Sequence, residues 1–105
     1  MIGTKVHLRT KEYVIPSLSF DEVAQFALDG TLEQVPNKGA GLFVPAMREA
    51  AMAVLLSALK WNYPEITREE VARELDLDNC ERAMAAVLGA TGLVKRENDA
   101  GEAKP

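Results

Sequence analysis

Residues 45–62 read PAMREAAMAVLLSALKWN, and this stretch decides how the chain folds. Its apolar residues recur at intervals of three and four, the repeat of a helix with a buried side: Met47, Ala51, Met52, Leu55, Leu56 and Leu59. Pro45 suits the first helical position, where its missing N–H costs nothing. Tyr63 precedes Pro64, and a residue before proline avoids the helical backbone. We therefore predict a central helix, covered on most sides, that ends before Pro64.

Two strands are predicted at the start of the chain. Residues 5–9 and residues 12–15 alternate apolar and polar side chains, as strands with one buried face do. Thr10 and Lys11 lie between them and predict a tight two-residue hairpin turn. Pro16 ends the second strand because proline cannot donate to a β-ladder.

A short helix and a long loop connect this hairpin to the central helix. Ser19 and Glu22 have the spacing of a capping box, in which each side chain accepts a hydrogen bond from a free backbone N–H at the helix start. Three apolar residues share one face of this helix: Val23, Phe26 and Ala27. Gly30 can end it. Residues 30–44 are rich in Gly, Pro and Asn, which predicts a loop long enough to be either functional or disordered.

Two further helices are predicted after the central one. Thr67 with Glu70, and Asp78 with Glu81, repeat the capping-box spacing. The last helix consists mainly of small apolar residues, which permit close packing: Ala83, Met84, Val87, Leu88 and Ala90.

The last residues differ in composition from the rest. Gly92 is predicted to cap the last helix, and Leu93 and Val94 to fold back onto it. Residues 95–105 are polar and are predicted to be a disordered tail. The sequence therefore predicts a single domain over residues 1–94 with an α+β fold. It is mostly helical, with an N-terminal β-hairpin followed by about four helices.

Composition excludes several classes of function. The 105 residues carry a net charge of −4, whereas proteins that bind nucleic acid or anionic membranes are usually basic. Residues 65–82 hold seven acidic and three basic residues, and residues 1–16 hold three basic and one acidic. This asymmetry suggests a weak head-to-tail self-association that weakens as salt rises. Residues 50–59, the longest apolar run, are too short to span a bilayer, so a cytoplasmic location is predicted.

No group of residues has the spacing of a catalytic, metal or cofactor site. His7 is the only histidine and is predicted to be an exposed strand residue. Cys80 is the only cysteine, and the acidic Asp78 and Glu81 beside it oppose a reactive thiolate, so we predict a buried structural cysteine. The acids of residues 76–81 lack the spacing of a calcium loop. We therefore predict a protein that is not an enzyme and takes no cofactor or small-molecule substrate.

Residues 66–96 leave one alternative open, a small DNA-binding regulator. They resemble the helix-turn-helix core of winged-helix regulators, with a capped helix, a short turn, a second helix and a final G-L-V. The second helix would have to read DNA, and only Asn79 and Arg82 have suitable side chains there. Glu81 and its acidic neighbours would repel phosphate. Charge therefore disfavours this interpretation.

Three segments carry a further resemblance. The first is KVHLRTKEYVIPSL (residues 5–18), and the second is WNYPEITREEV (residues 61–71). The third consists of LDLDN (residues 75–79) followed by AVLGATGL (residues 86–93). In this order they cover about half of the chain, and they resemble the tail assembly chaperones of long-tailed bacteriophages and prophages.

The resemblance implies a non-enzymatic chaperone. Its partner would be the tape-measure protein, a very long, helical and apolar chain that it keeps soluble during tail morphogenesis. The location would be the cytoplasm of an infected or lysogenic bacterial host. A phage head–tail joining protein or structural adaptor is the alternative within the same general class.

A chaperone of this kind needs exposed apolar residues at loop tips and helix ends. The candidates for partner binding are Leu42, Phe43, Val44, Trp61 and Tyr63. Two interpretations remain open for Phe43 and Trp61, because they either bind the partner or complete the core around the central helix.

Overall fold

A computed structural model describes residues 1–89, which form a hairpin and a set of helices. The strands are β1 (Thr4–His7) and β2 (Glu12–Ile15). The helices are α1 (Phe20–Leu28), α2 (Thr31–Gln34), a 3-10 helix (Gly39–Phe43), α3 (Pro45–Asn62), α4 (Arg68–Glu74) and α5 (Cys80–Leu88). The predicted α+β, mostly helical class is confirmed.

Helix α3 is the centre of the molecule, as its dense apolar sequence predicts. It contacts α2, the 3-10 helix, α4, α5 and β2. Its buried residues lie on more than one side: Ala50, Ala51, Met52, Val54, Leu55, Ala58 and Leu59. It begins at Pro45 and ends at Asn62, with Tyr63 as its C-cap in a non-helical conformation. Both predicted helix ends are therefore confirmed.

The hairpin packs one face onto the helices. Its strands are antiparallel, with Val6 opposite Tyr13 and Lys5 opposite Val14. The buried side chains of this face are Val6, Leu8, Tyr13 and Ile15. The predicted strand over residues 5–9 is too long, because β1 ends at His7.

The hairpin turn is wider than the predicted two-residue turn. Residues 8–11 form the connection, closed by a hydrogen bond from the Leu8 N–H to the Lys11 carbonyl oxygen (2.9 Å). The favoured two-residue turns require positive φ angles, which Thr10 and Lys11 do not readily adopt. Among residues 1–89, only glycines have a positive φ.

Two of the three predicted capping boxes are confirmed. Ser19 with Glu22 caps α1, and Thr67 with Glu70 caps α4. The third prediction is wrong, because Asp78 and Glu81 make no such pair and α5 has no side-chain bond at its N-cap. Asp76 instead caps the turn before α5, where its Oδ1 accepts from the Asn79 N–H (2.8 Å).

The predicted loop of residues 30–44 contains regular structure. Helix α2 and the 3-10 helix both fall within it and pack against α3. Each is too short for a periodic apolar pattern, so contacts with α3 rather than local sequence define them. Gly39 is required there, because a Cβ at this position would lie 2.1 Å from the Leu77 carbonyl oxygen.

Some predictions lie outside the described residues. These are the cap at Gly92, the folding back of Leu93 and Val94, and the disordered tail of residues 95–105. Within residues 1–89, no helix combines the length and the apolar character needed to cross a membrane.

Candidate protein-binding surface

The five residues predicted to bind a partner lie at the two ends of α3. Leu42, Phe43 and Val44 come directly before its first residue, and Trp61 and Tyr63 are at its end. A helix of 18 residues is about 27 Å long, so the structure places these residues in two separate groups.

Phe43 and Trp61 are exposed. Their exposed fractions are 71% and 66%, so the interpretation that they complete the core is wrong. Val44 is also exposed, whereas Leu42 and Tyr63 are partly buried and pack against the core. Of the five predicted residues, Phe43 and Trp61 are therefore mostly exposed, and Val44 is nearly half exposed.

Sequence reasoning missed a further exposed apolar residue, Leu77. The 3-10 helix that ends at Phe43 starts at Gly39, which lies against the backbone of Leu77. Leu77 precedes α5 and half of its side chain is exposed.

At the other end of α3, the indole of Trp61 is held by a carboxylate. Its Nε1–H donates to Oε1 of Glu22 at 3.0 Å. Glu22 also accepts hydrogen bonds from the Ser19 N–H (2.8 Å) and from the Ser57 hydroxyl. The same residue therefore caps α1, joins α1 to α3 and fixes the orientation of an exposed aromatic ring.

Hydrogen bonding controls the charge of Glu22. Burial opposes its ionisation, but the bonds from Ser57, Ser19 and Trp61 outweigh this effect and hold the pKa of the carboxyl below its ordinary value of 4.5. The carboxylate is therefore ionised at neutral pH.

A shallow depression of about 370 Å³ lies beside the Trp61 ring. It is lined by Glu22, Ser57, Lys60, Trp61 and Pro64. We call it the Trp61 depression.

Phe20 is the most exposed large apolar residue near this end. It is the first residue of α1, two positions before Glu22, and 88% of it is exposed. Sequence reasoning missed this residue, because Phe20 stands three positions before Val23 and is therefore spaced like a member of the face that holds Val23 and Phe26. Both of those residues are partly buried against the core, whereas Ala27, predicted to share their face, is exposed.

Tyr63 joins α3 to the hairpin. Its hydroxyl oxygen accepts from the Val14 N–H at 2.9 Å, and its ring meets the Tyr13 ring edge-on with 5.3 Å between centroids. Asn62 donates to the carbonyl oxygens of Val14 (2.9 Å) and Ile2 (3.0 Å). Tyr63 and Asn62 thereby provide partners for the N–H and the carbonyl oxygen of Val14, which both face away from β1.

The tip of the hairpin is held by Glu74, a buried acid at the end of α4. Its carboxylate accepts from the Thr10 N–H (2.9 Å) and from the Thr10 hydroxyl. Its carbonyl oxygen accepts from the Arg9 N–H (3.0 Å) and from the Asn79 side-chain amide (2.8 Å). Sequence reasoning missed this junction, because it counted Glu74 and Asn79 only as parts of a polar segment.

The structure gives no support to reactive chemistry at the two candidate side chains. Cys80 is fully buried, and burial, with Glu81 and Asp76 nearby, raises the pKa of its thiol to about 11. The predicted structural role of Cys80 thus fits its surroundings. His7 is exposed, as expected for its strand position. Within residues 1–89, no His, Cys, Asp and Glu side chains gather in a group that could hold a metal ion.

The helix-turn-helix alternative loses one of its two base-reading residues. Asn79 is 2% exposed, and both ends of its side chain are engaged with the backbone of Glu74 and Asp76. Arg82 is left as the single suitable side chain at the start of α5, where it donates to the Asp78 carbonyl oxygen (3.2 Å).

One of the basic residues at the start of the chain lies beside acids of the acidic segment. Lys11 at the hairpin tip lines a depression of about 260 Å³ together with Glu65 and Glu70. Lys11 also favours the ionised form of Glu74. Lys11 therefore offsets part of the charge of the acidic segment within one molecule.

The chain was compared with protein-family models, curated proteins and solved structures, and none of the three comparisons found a match.

Proposed function

We propose that this protein is a non-enzymatic assembly chaperone of a phage tail, which binds the apolar, helical tape-measure protein and keeps it soluble. It would act in the cytoplasm of the infected or lysogenic bacterial host. The observation that carries the proposal is the exposure of Phe43 and Trp61 at the two ends of a well-buried helix. Large exposed apolar side chains on an acidic, folded domain are what a chaperone for an apolar chain requires.

The arrangement of the three resembling segments also supports the proposal. Asn62 and Tyr63 of the second segment bind the backbone of Val14 in the first. Asn79 of the third segment binds the carbonyl of Glu74, which in turn holds the hairpin of the first. The residues that carry the resemblance thus hold one another in place, as expected if they specify a common fold.

Phe43 and Trp61 each have a structural reason to be dispensable for folding. Phe43 and Trp61 lie mostly outside the core, so truncation of either leaves the buried cluster intact. Trp61 loses one hydrogen bond to Glu22 on truncation, and Glu22 keeps its bonds from Ser19 and Ser57.

The test is co-expression with the tape-measure protein encoded beside this chain. We expect the unmodified chain to keep that client soluble and to co-purify with it. Phe43→Ala and Trp61→Ala should each lower the recovered client by about tenfold, the effect of losing a binding hot spot. Leu28→Ala is the matched control, because Leu28 is an apolar residue at the last position of α1 that is even more exposed than Phe43 and Trp61.

Circular dichroism of each variant must first show an unchanged helix content. A client that stays insoluble with the unmodified chain would remove the main support for the chaperone. Co-purification with head or tail-completion proteins would instead indicate the head–tail adaptor.

A further inference from the structure

We propose that residues 31–43, which contain α2 and the 3-10 helix, form a strap that opens as one unit while the hairpin, α3, α4 and α5 stay folded. Opening uncovers the side of α3 on which the strap lies, together with the apolar side chains of the strap itself. The molecule thereby exposes apolar surface without global unfolding. The opening of the strap is independent of the proposed function.

Few hydrogen bonds join the strap to the rest of the molecule. Within the part of the chain that the structure describes, residues 32–40 make no hydrogen bond or ion pair with any residue outside 30–44. At the ends of the strap, the Thr31 N–H donates to Asp29 Oδ1 (2.9 Å) and the Arg48 guanidinium donates to the Leu42 carbonyl oxygen (3.2 Å). Both bonds are exposed, so water can replace them and they contribute little to holding the strap closed.

Apolar contacts therefore hold the strap closed, and these contacts are few. Leu32, Val35 and Leu42 are only partly buried against the core. Pro36 is the only buried residue of the strap, whereas α3 has seven buried residues. Segments with few buried apolar contacts open at a lower free energy than the core does.

Pro36 couples the two elements of the strap. It directly follows Val35, the C-cap of α2, and it packs against Gly41 of the 3-10 helix. A Cβ at Gly41 would lie only 2.4 Å from the Cβ of Pro36. Displacement of either element therefore disturbs the packing of the other, so we expect both to open together.

The two ends of the strap permit this movement. Gly30 precedes it with a φ of 84°, a conformation that glycine adopts without a steric penalty. After the strap, the Val44 carbonyl oxygen accepts from the Arg48 N–H (2.8 Å), so Val44 is held as the N-cap of α3. The start of α3 therefore keeps its cap when the strap opens.

Amide hydrogen exchange of the full chain, followed by NMR, tests the proposal. The reporters in the strap are the Val35 and Gly41 amides, each bonded to the carbonyl oxygen three residues earlier (3.4 and 2.9 Å). The reference amides are Leu75 and Ala83, which are bonded at the end of α4 and in α5. We expect the two strap amides to share one protection factor, at least about tenfold below those of the reference amides.

Two variants each change one element of the strap and are measured at the other. Leu32→Ala removes a core contact of α2 and should speed exchange at the Gly41 amide by about tenfold. Gly41→Ala adds a methyl group that overlaps Pro36, so it should speed exchange at the Val35 amide by a similar factor. Exchange at the reference amides should not change in either variant.

Gly89→Ala is the matched control. It adds the same methyl group at a helical position with no described atom within 4 Å, so exchange in the strap should stay as in the unmodified chain. If Leu32→Ala speeds exchange at Val35 alone, the two elements fray separately and the proposal is wrong. If the reference amides exchange as fast as the strap amides, the strap opens only when the whole fold unfolds, which also contradicts the proposal.

Discussion

At the scale of single residues, Glu74 joins the hairpin, α4 and the turn before α5. It is 4% exposed, and its carboxylate and carbonyl together accept four hydrogen bonds from Thr10, Arg9 and Asn79. A buried carboxylate is stable only when it is hydrogen-bonded in this way.

Glu74→Ala should lower the free energy of unfolding by about 2 kcal/mol, because Thr10 loses both of its acceptors. The pH dependence follows from the pKa. Burial opposes ionisation of Glu74, but the Thr10 hydrogen bonds and the charges of Lys11 and Arg73 outweigh it, so its folded pKa lies below 4.5. The stability from this lowered pKa is present above the unfolded pKa and is lost as the pH falls through the folded pKa.

Urea denaturation at a series of pH values measures this effect. Glu74→Gln should lose less stability than the unmodified chain when the pH falls below 4.5, because it has no carboxylate to protonate. Glu69→Gln is the control, since Glu69 is an exposed acid of the same helix. A parallel loss of stability in Glu74→Gln and the unmodified chain would contradict the role given to this carboxylate.

At the scale of elements, hydrogen bonds to Asn62 and Tyr63 at the end of α3 hold β2 in place. Tyr63→Phe removes the acceptor of the Val14 N–H and leaves that group without its partner in a half-buried position. We expect a loss of about 1 kcal/mol in the free energy of unfolding. Hydrogen exchange at the Val14 amide should become faster.

The Leu8 amide is the internal control for that experiment, because it bonds to Lys11 at the other end of the hairpin. Faster exchange at both amides would indicate general loosening of the hairpin. No change at Val14 would show that the Tyr63 hydroxyl contributes nothing to β2.

Local signals allowed most elements to be predicted, and long-range contacts explain the failures. The boxes at Ser19 and Thr67 and the proline at position 45 set the starts of α1, α4 and α3 without help from the rest of the chain. Before α5, two acids are spaced to form a capping bond with a residue three positions later: Asp76 with Asn79, and Asp78 with Glu81. In the structure Asp76 makes the capping bond, because the Glu74 carbonyl oxygen holds the side chain of its partner Asn79 in place.

The candidate site was predicted only in part for the same reason. The positions of Phe43 and Trp61 at the ends of α3 follow from sequence, but their exposure depends on which elements cover those ends. The hydrogen bond between Trp61 and Glu22 joins residues 39 positions apart, so no local sequence pattern predicts it.

At the scale of the whole molecule, the exposed apolar residues suggest a second cause of self-association besides charge. The prediction from sequence was attraction between a basic and an acidic pole, weakened by salt. Lys11, however, lies beside Glu65 and Glu70 of the same chain. Exposed apolar residues at the two ends of α3, Phe43 and Trp61 among them, offer another surface for contact between copies.

We therefore expect weak self-association that strengthens when sodium sulfate is added, since this salt promotes burial of apolar surface. Sedimentation equilibrium over a range of protein concentrations measures it. The double variant Phe43→Ala with Trp61→Ala should associate less. Dissociation on addition of sodium chloride would restore the charge-driven explanation, and a monomer under all conditions would contradict both.

The bonds between Thr10 and Glu74 have a consequence for the order of folding during synthesis. The ribosome makes the hairpin first, but the acceptor for its tip is added 64 residues later. Until α4 has left the ribosome, the hairpin lacks its hydrogen bonds to Glu74. Until residue 63 has been added, it also lacks the hydrogen bond from Val14 to Tyr63. A two-stranded hairpin alone is marginally stable in water, so the start of this chain must wait for its second half.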